Sequence, residues 1–292
     1  MAKISIIIPA KNEAQALPGV LERITAVFAG RVGDTHEVVV VDDGSSDATS
    51  EVAAKAGARV VRHPYSMGNG AAVKAGMRAA RGETFVMMDA DGQHAPEDIP
   101  HLLDALVGYA MVVGARTKGT GTGAHRGLAN RVYNGLASYV VGRKVEDLTS
   151  GFRAVTAEHA RRFVYLLPNT FSYPTTITLA FFRAGLPVRY VGIEARARVG
   201  RSHIRIVRDG IRFLLIILRI ATIFSPLKVF LPMSAALFFI ALARYAWTFL
   251  FVNGRFTGGS QLAFMTSIIL FALALISEQV AALRFDRSER EF

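Results

Sequence analysis

Three apolar runs with the length and composition of buried β-strands each lead into acidic side chains. Residues 4–8 lead into Glu13, residues 37–41 into Asp42, and residues 86–88 into Asp89 and Asp91. Segments with helical spacing of apolar residues lie between these runs. Alternating strands and helices predict a mostly parallel sheet with helices on both faces, and such sheets bind ligands at the carboxyl ends of their strands. We therefore expect an α/β domain with its acids gathered on one rim.

Asp89 and Asp91 are separated by one residue, so in an extended chain their side chains point to the same side. Two neighbouring carboxylates repel each other unless a cation lies between them, and Mg²⁺ and Mn²⁺ prefer such hard oxygen ligands. Gln93 adds a neutral oxygen two residues further on. The alternative is a polar turn after the strand, since Asp-Gly is a common turn pair.

Four motifs carry a resemblance to a known family. Residues 8–13 read IPAKNE, residues 41–49 VDDGSSDAT and residues 89–94 DADGQH, and these resemble the inverting family 2 glycosyltransferases of GT-A fold. Residues 147–153, DLTSGFR, are similar to the polyprenyl-phosphate sugar transferases typified by dolichol-phosphate mannose synthase. The resemblance covers about residues 1–205. It implies transfer of a sugar from a nucleotide-sugar, GDP-mannose or a UDP-hexose, to undecaprenyl or dolichyl phosphate.

The resemblance and the local chemistry together give an expected site. Mg²⁺ or Mn²⁺ held by Asp89, Asp91 and Gln93 would neutralise the departing diphosphate. The predicted nucleotide-sugar site comprises Pro9, Asn12, Glu13, Val40, Asp42, Asp89, Ala90, Asp91 and Arg116. The predicted acceptor-phosphate site comprises Arg131, Ser150, Arg153, Arg198, Arg201 and His203. The predicted catalytic residues are Asp91, Asp147 and Arg153.

The role of Asp147 stays open between orienting Arg153 or the sugar and acting as a base. A turn or helix-capping segment is the alternative for residues 147–150. A phosphate monoester has a second pKa of about 6, so the acceptor needs charge compensation rather than deprotonation.

Similar enzymes often carry lysine where this chain has His203, which titrates near neutrality.

The predicted organisation has three parts. Residues 1–203 form the GT-A catalytic domain, and the Gly/Thr-rich residues 118–126 are expected to be an active-site lid, with a plain linker as the alternative. Residues 204–224 read as a basic amphipathic helix at the membrane interface, or else a helix packed on the domain. Residues 225–292 read as a transmembrane hairpin with a short basic tail. Its apolar runs, about 227–252 and 262–283, are each long enough to cross about 30 Å of hydrocarbon, and a buried core hairpin is the alternative.

The net charge of +11 over 292 residues predicts an anionic partner. No nucleic-acid motif is visible, so a phosphorylated substrate and an anionic membrane surface are the preferred explanation. Arginines flanking the two apolar runs outnumber the single Arg255 between them, which predicts a multi-pass membrane protein with a cytoplasmic catalytic domain. The chain contains no cysteine, which excludes disulfides and thiolate metal sites.

Two other function classes remain open. One is a membrane glycosyltransferase acting on a saccharide or glycolipid, and the other is a non-catalytic membrane adaptor of the same fold. The sequence also leaves a homo-oligomer open.

Overall fold

The chain divides into two compact units in the computed structural model. The first comprises Met1–Ser138 with Arg143–Asp209, and the second comprises Tyr139–Gly142 with Gly210–Phe292. The structure describes residues 3–31, 33–116, 124–169, 172–194, 218, 221–222, 225–252 and 256–290, without the side chains of 124–130 and 284–290.

A seven-stranded sheet forms the centre of the first unit, with the strand order β3-β2-β1-β4-β6-β5-β7. All neighbouring strands are parallel except β6, which runs antiparallel to both β4 and β5. The mostly parallel sheet that the sequence predicts is thus confirmed. The strands are β1 Ile4–Ala10, β2 His36–Asp42, β3 Arg59–Arg62, β4 Thr84–Met87, β5 Met111–Arg116, β6 Arg153–Thr156 and β7 Val188–Ile193.

Helices connect these strands and cover the sheet. In α1, the residues at helical spacing that the sequence marks as apolar are the buried ones, and Pro18 lies in the first turn, where proline costs no hydrogen bond. The α-helices among the described residues before the hairpin are α1 Leu17–Ala29, α2 Thr49–Lys55, α3 Asn69–Ala79, α4 Ile99–Ala105, α5 Ala124–Val141, α6 Ala157–Phe163 and α7 Tyr173–Arg183. The last residues of α5, from Tyr139 onward, belong to the second unit.

The core lies on the central strands, where β1 is buried along its whole length and β4 along all but its first residue. Strands buried on both faces read as continuous apolar runs, which is the pattern that identified them in the sequence. Gly76 lets helix α3 lie close to β1. A Cβ atom at this position would come within 2.3 Å of Ile7 Cγ2.

The second unit contains two long helices, α8 Pro226–Phe251 and α9 Gly258–Arg290. Pro226–Phe251 and Gly258–Leu283 are each 26 residues long, with mean hydropathies of 1.9 and 2.0, so both are long and apolar enough to cross a membrane. Most of their large apolar side chains are exposed.

Small residues line the contact between α8 and α9. Ser234 and Ser267 exchange hydrogen bonds, each hydroxyl donating to the other's backbone carbonyl at 2.9 Å. Small side chains let helices of a membrane hairpin approach closely. Among the side chains of α9 that the structure describes, the buried ones recur every seven positions, at Ser260, Ser267, Ala274 and Ala281.

Polar contacts fix the start of α8. The Leu227 N–H lies in the first turn and so has no acceptor within its own helix. It donates instead to the Glu278 carboxylate of α9 at 3.2 Å. Lys228 Nζ donates to the carbonyls of Tyr139 and Val140 at the end of α5. The hairpin is therefore held by charged and polar groups at this end and by small residues along its length.

Candidate active site

The loops that follow β1 and β2 are tied together at the carboxyl edge of the sheet. The Asn12 N–H donates to Ser45 Oγ at 2.9 Å, and Asn12 Oδ1 accepts from the Ser46 N–H at 2.9 Å. Asn12 has a φ of +56°, a left-handed conformation that asparagine tolerates better than most residues. The Glu13 N–H donates to Thr49 Oγ1. Asn12 and Glu13 therefore lie at the predicted rim, where their backbone N–H groups and the Asn12 side chain join the two loops.

Asp42 ends β2 with its side chain fully buried. Its carboxylate accepts from the Ser45 N–H at 2.8 Å and from the Ser50 hydroxyl, and Arg62 Nε lies 3.7 Å away. Burial alone would raise the pKa of Asp42, but these hydrogen bonds and Arg62 outweigh it and lower the pKa. The carboxylate is thus turned into its own loop, and its contact with a nucleoside stays a prediction.

Asp43 organises the segment that leads into α3. It accepts from His63 Nδ1 at 2.8 Å, from Ser66 Oγ at 2.8 Å, and from the N–H groups of Met67 and Gly68. Desolvation of the buried carboxylate is outweighed by these bonds, so its pKa is lowered. Asp43 therefore orders the segment between β3 and α3.

Residues 89–94 form a closed loop after β4. Asp91 accepts from the Gln93 N–H at 3.1 Å and from Gln93 Nε2 at 2.6 Å. The Asp89 N–H donates to His94 Nδ1 at 3.1 Å. The Gln93 side-chain amide thus holds Asp91, and the role of Gln93 as a metal ligand stays a prediction.

Asp89 faces the segment that precedes β6. A Cβ atom on Gly151 would lie 3.1 Å from Asp89 Oδ2 and 3.2 Å from the Tyr173 hydroxyl, so only glycine leaves the carboxylate its present space. Desolvation raises the pKa of Asp89 and repulsion from Asp91 adds to this, while His94, Arg116 and Arg153 oppose it. The side chain is nevertheless 39% exposed, so a ligand can reach it.

Asp147 pairs with Arg116 at the end of β5. Arg116 Nε donates to Asp147 Oδ2 at 2.8 Å, and Arg116 Nη2 donates to Asp147 Oδ1 at 3.0 Å. The backbone N–H groups of Thr149 and Ser150 also donate to Asp147. Burial would raise the pKa of Asp147, but the Arg116 hydrogen bonds and charge outweigh it and lower the pKa. Asp147 therefore orients Arg116, and the roles expected for it, orienting Arg153 or the sugar or acting as a base, stay predictions.

Arg153 is completely buried at the start of β6. Its guanidinium donates to the Pro174 carbonyl at 3.0 Å, to Thr178 Oγ1 at 3.1 Å and to the Ser150 carbonyl. The guanidinium lies in the core and holds the segment before β6, and the expected contact of Arg153 with the acceptor phosphate stays a prediction. Carbonyl and hydroxyl oxygens satisfy Nη1 and Nη2 of this buried cation, whereas its Nε has no hydrogen-bond partner within the described residues.

The remaining predicted residues differ in accessibility. Pro9, Val40 and Ala90 are buried, where only their backbones could line a pocket. Ser150 is 2% exposed, and within the described ranges its hydroxyl has no hydrogen-bond partner. Arg131 is exposed on α5. Arg198, Arg201, His203, most of the 118–126 loop and nearly all of the 204–224 helix lie outside the described residues.

Three residues near the aspartates were not predicted: His94, Gly151 and Tyr173. His94 and Gly151 belong to the motifs at residues 89–94 and 147–153. The sequence therefore pointed to these segments but not to the roles of these two residues. Tyr173, whose hydroxyl donates to the Gly151 carbonyl at 3.3 Å, has no local sequence signal.

A mostly parallel sheet with paired aspartates after its central strand is the architecture of a GT-A glycosyltransferase. Residues 5–164 match Glycosyl transferase family 2, and the chain belongs to this family. Residues 225–283 match a second family, the GtrB C-terminal hairpin.

Relatives resemble both parts of the chain. An undecaprenyl-phosphate 4-deoxy-4-formamido-L-arabinose transferase from Edwardsiella ictaluri is 28% identical over 94% of this chain and 83% of its own length. The transferase of the same name from Photorhabdus laumondii is 30% identical over 59% of this chain, and the match spans only 58% of that relative.

A solved structure shares the fold of most of this chain. Glucosyl-3-phosphoglycerate synthase from Mycobacterium tuberculosis, crystallised with Mn²⁺ and uridine-diphosphate-glucose, aligns with a TM-score of 0.58 at 26% identity. The alignment covers 74% of this chain and 79% of the synthase.

Proposed function

We propose that the protein transfers a sugar from a nucleotide-sugar to a polyprenyl phosphate at the cytoplasmic face of a membrane. The observation that carries this proposal is the combination of a family 2 glycosyltransferase domain and a GtrB-type hairpin in one chain. A relative named for transfer to undecaprenyl phosphate, which matches nearly the whole chain, supports the same acceptor. The donor is GDP-mannose or a UDP-hexose.

The aspartate loop fits a divalent cation that also binds the donor diphosphate. Among the described residues, no group of three or more acidic or histidine side chains is placed to hold a metal by itself. Magnesium is often bound by only one or two carboxylates, with substrate phosphates and water completing its shell. Asp89 and Asp91 supply that number of carboxylates. When bound, Mg²⁺ or Mn²⁺ would neutralise the charge that develops on the departing nucleoside diphosphate.

Arg116 provides a second positive charge for the same diphosphate. Its side chain is 31% exposed, and a bidentate pair with Asp147 orients its guanidinium. Bidentate pairs fix the guanidinium plane as well as its position. Arg116 also lies close enough to Asp89 to influence its pKa. We therefore assign Arg116 to the donor phosphates and Asp147 to the positioning of Arg116.

The acceptor phosphate requires no general base. A phosphate monoester is mostly dianionic at pH 7, because its second pKa is about 6. Asp147, with a lowered pKa and an arginine on both oxygens, is poorly suited to abstract a proton. The exposed Arg131 on α5 is the described candidate for contact with the incoming phosphate.

The hairpin would anchor the enzyme where its lipid acceptor resides. Arginines 205, 208 and 212 precede the apolar helices and arginines 284, 287 and 290 follow them, against Arg255 alone between them. This asymmetry supports cytoplasmic ends of the hairpin under the positive-inside rule.

The test uses the full-length chain in proteoliposomes with labelled nucleotide-sugars and Mg²⁺ or Mn²⁺. Label should enter a lipid-extractable product with undecaprenyl or dolichyl phosphate, and not with a neutral polyprenol, a free sugar or phosphoglyceric acid. Asp91→Asn should abolish transfer, whereas Asp104→Asn, at a 67% exposed side chain on α4, should not. Efficient transfer to a non-lipid or neutral acceptor, with none to the lipid phosphate, would refute the proposal.

A further inference from the structure

The imidazole of His94 is fixed on two sides beside the aspartate loop. Its Nδ1 accepts a hydrogen bond from the Asp89 backbone N–H at 3.1 Å. Its ring stacks on Phe152, with centroids 5.1 Å apart and an interplanar angle of 17°. His94 is 6% exposed and Phe152 is fully buried. The ring is therefore held in one orientation by packing and by a backbone contact of Asp89.

The direction of this hydrogen bond fixes the tautomer of His94. A ring nitrogen that accepts from an N–H group carries no proton, so the proton of the neutral imidazole is on Nε2. Nδ1 also lies 3.7 Å from Asp89 Oδ2, beyond hydrogen-bonding distance. His94 therefore acts on the backbone of Asp89 and leaves the carboxylate oxygens for other partners.

This contact closes the loop that carries both aspartates. Gly92 makes the turn with a φ of +74°, and Gln93 holds both oxygens of Asp91 from within the loop. The bond from Asp89 to His94 then joins the start of the loop to its end. Two neighbouring carboxylates repel each other, and the hydrogen bonds that close this loop oppose their separation.

We propose that His94 is a positioning residue for the divalent cation, which it serves by holding the backbone of Asp89 through Nδ1. This inference rests on the cation-binding part of the proposed function. Groups that orient metal ligands from outside the ligand shell typically change metal affinity by about 10–100-fold when removed.

Three substitutions separate the hydrogen bond from the volume of the ring. His94→Asn places its Oδ1 at the position of Nδ1, bonded through the same Cβ–Cγ link, and can accept from the Asp89 N–H. His94→Leu fills similar space without an acceptor, and His94→Gln moves the acceptor one bond further out. His101→Leu, at an exposed histidine of α4, is the matched control.

The primary measurement is the Mn²⁺ affinity of the full-length protein, determined by electron paramagnetic resonance in the presence of UDP or of GDP. His94→Leu and His94→Gln should weaken Mn²⁺ binding about 10–100-fold, while His94→Asn stays close to wild type. Excess Mn²⁺ should restore turnover of His94→Leu without changing the KM for the lipid phosphate. Thermal unfolding of each variant reports whether the fold survives, and the Asn–Gln comparison serves if the leucine variant does not fold.

Several outcomes would overturn the inference. These are wild-type Mn²⁺ affinity in folded His94→Leu, equal affinities of the Asn and Gln variants, or no Mn²⁺ binding by the wild type. The expected Mn²⁺ pattern without transfer to any lipid phosphate would support the role of His94 and refute the proposed acceptor alone.

Discussion

Replacing Asp147 with asparagine should destabilise the first unit and weaken donor binding together. The asparagine amide would place an NH₂ group against Arg116 Nε or against the N–H groups of Thr149 and Ser150, where Asp147 now accepts. Hydrogen bonds to charged groups contribute about 1.5–3 kcal/mol each, and breaking a buried ion pair costs about 3–5 kcal/mol. Arg116 is 31% exposed and can be partly rehydrated, so we expect a loss of about 2–3 kcal/mol.

For a unit of this size, that loss corresponds to a fall in Tm of about 4–12 °C. Tm would be measured in detergent micelles at neutral pH, with the KM for the nucleotide-sugar, which should rise as Arg116 loses its orientation. Glu146→Gln is the matched control, because its pair with Lys144 is at the surface and such pairs contribute about 0–1 kcal/mol.

The pH dependence gives an independent check. Because the folded-state pKa of Asp147 is lowered, its contribution is fully present above its ordinary value, about 3.9, and is lost as the pH falls through the folded-state pKa. The difference in stability between wild type and variant should therefore narrow below about pH 4. An unchanged Tm and an unchanged donor KM in Asp147→Asn would refute the assigned role.

Three further substitutions test other contacts. Asp89→Asn should abolish Mn²⁺-dependent nucleotide binding, measured by calorimetry. It should also raise the Tm of the metal-free protein at pH 7, because a carboxylate whose pKa is raised in the folded state lowers stability while it is charged. A lower Tm would contradict the desolvation argument. Gly151→Ala places a methyl group 3.1 Å from Asp89 Oδ2 and should weaken Mn²⁺ binding by about tenfold with little change in Tm, and unchanged affinity would show that the carboxylate has room to move. Ser234→Leu should separate α8 from α9, because it removes the exchanged bonds with Ser267 and overfills a small-residue contact; undiminished disulfide formation between cysteines introduced on the two helices would refute this.

The sequence by itself determined the parallel strands and the hairpin. Strands buried on both faces read as nearly continuous apolar runs, and β1, the second half of β2 and the strand before Asp89 show this pattern. Two apolar runs with a short connection likewise predict paired long helices. The position of Asp89 and Asp91 just beyond β4 also followed from the sequence, because chain order alone places them there.

Tertiary structure decided which side chains face a ligand. Strand β6 runs antiparallel between β4 and β5 and pairs Arg153 with Met87, so its beginning lies at the edge where the parallel strands end. This reversal brings Gly151 against Asp89 and turns Arg153 into the core. A local motif gives the order of these residues but not the direction of their strand.

Long-range pairing also decided the partners of the charged groups. Asp147 meets Arg116, which is 31 positions away in the sequence, because β5 ends beside the loop that leads into β6. Asp42 turns inward because Ser45, Ser50 and Arg62 surround it. The energy of a carboxylate depends on the groups within a few ångströms, and those groups come from separate strands whose neighbours are set only by the folded sheet.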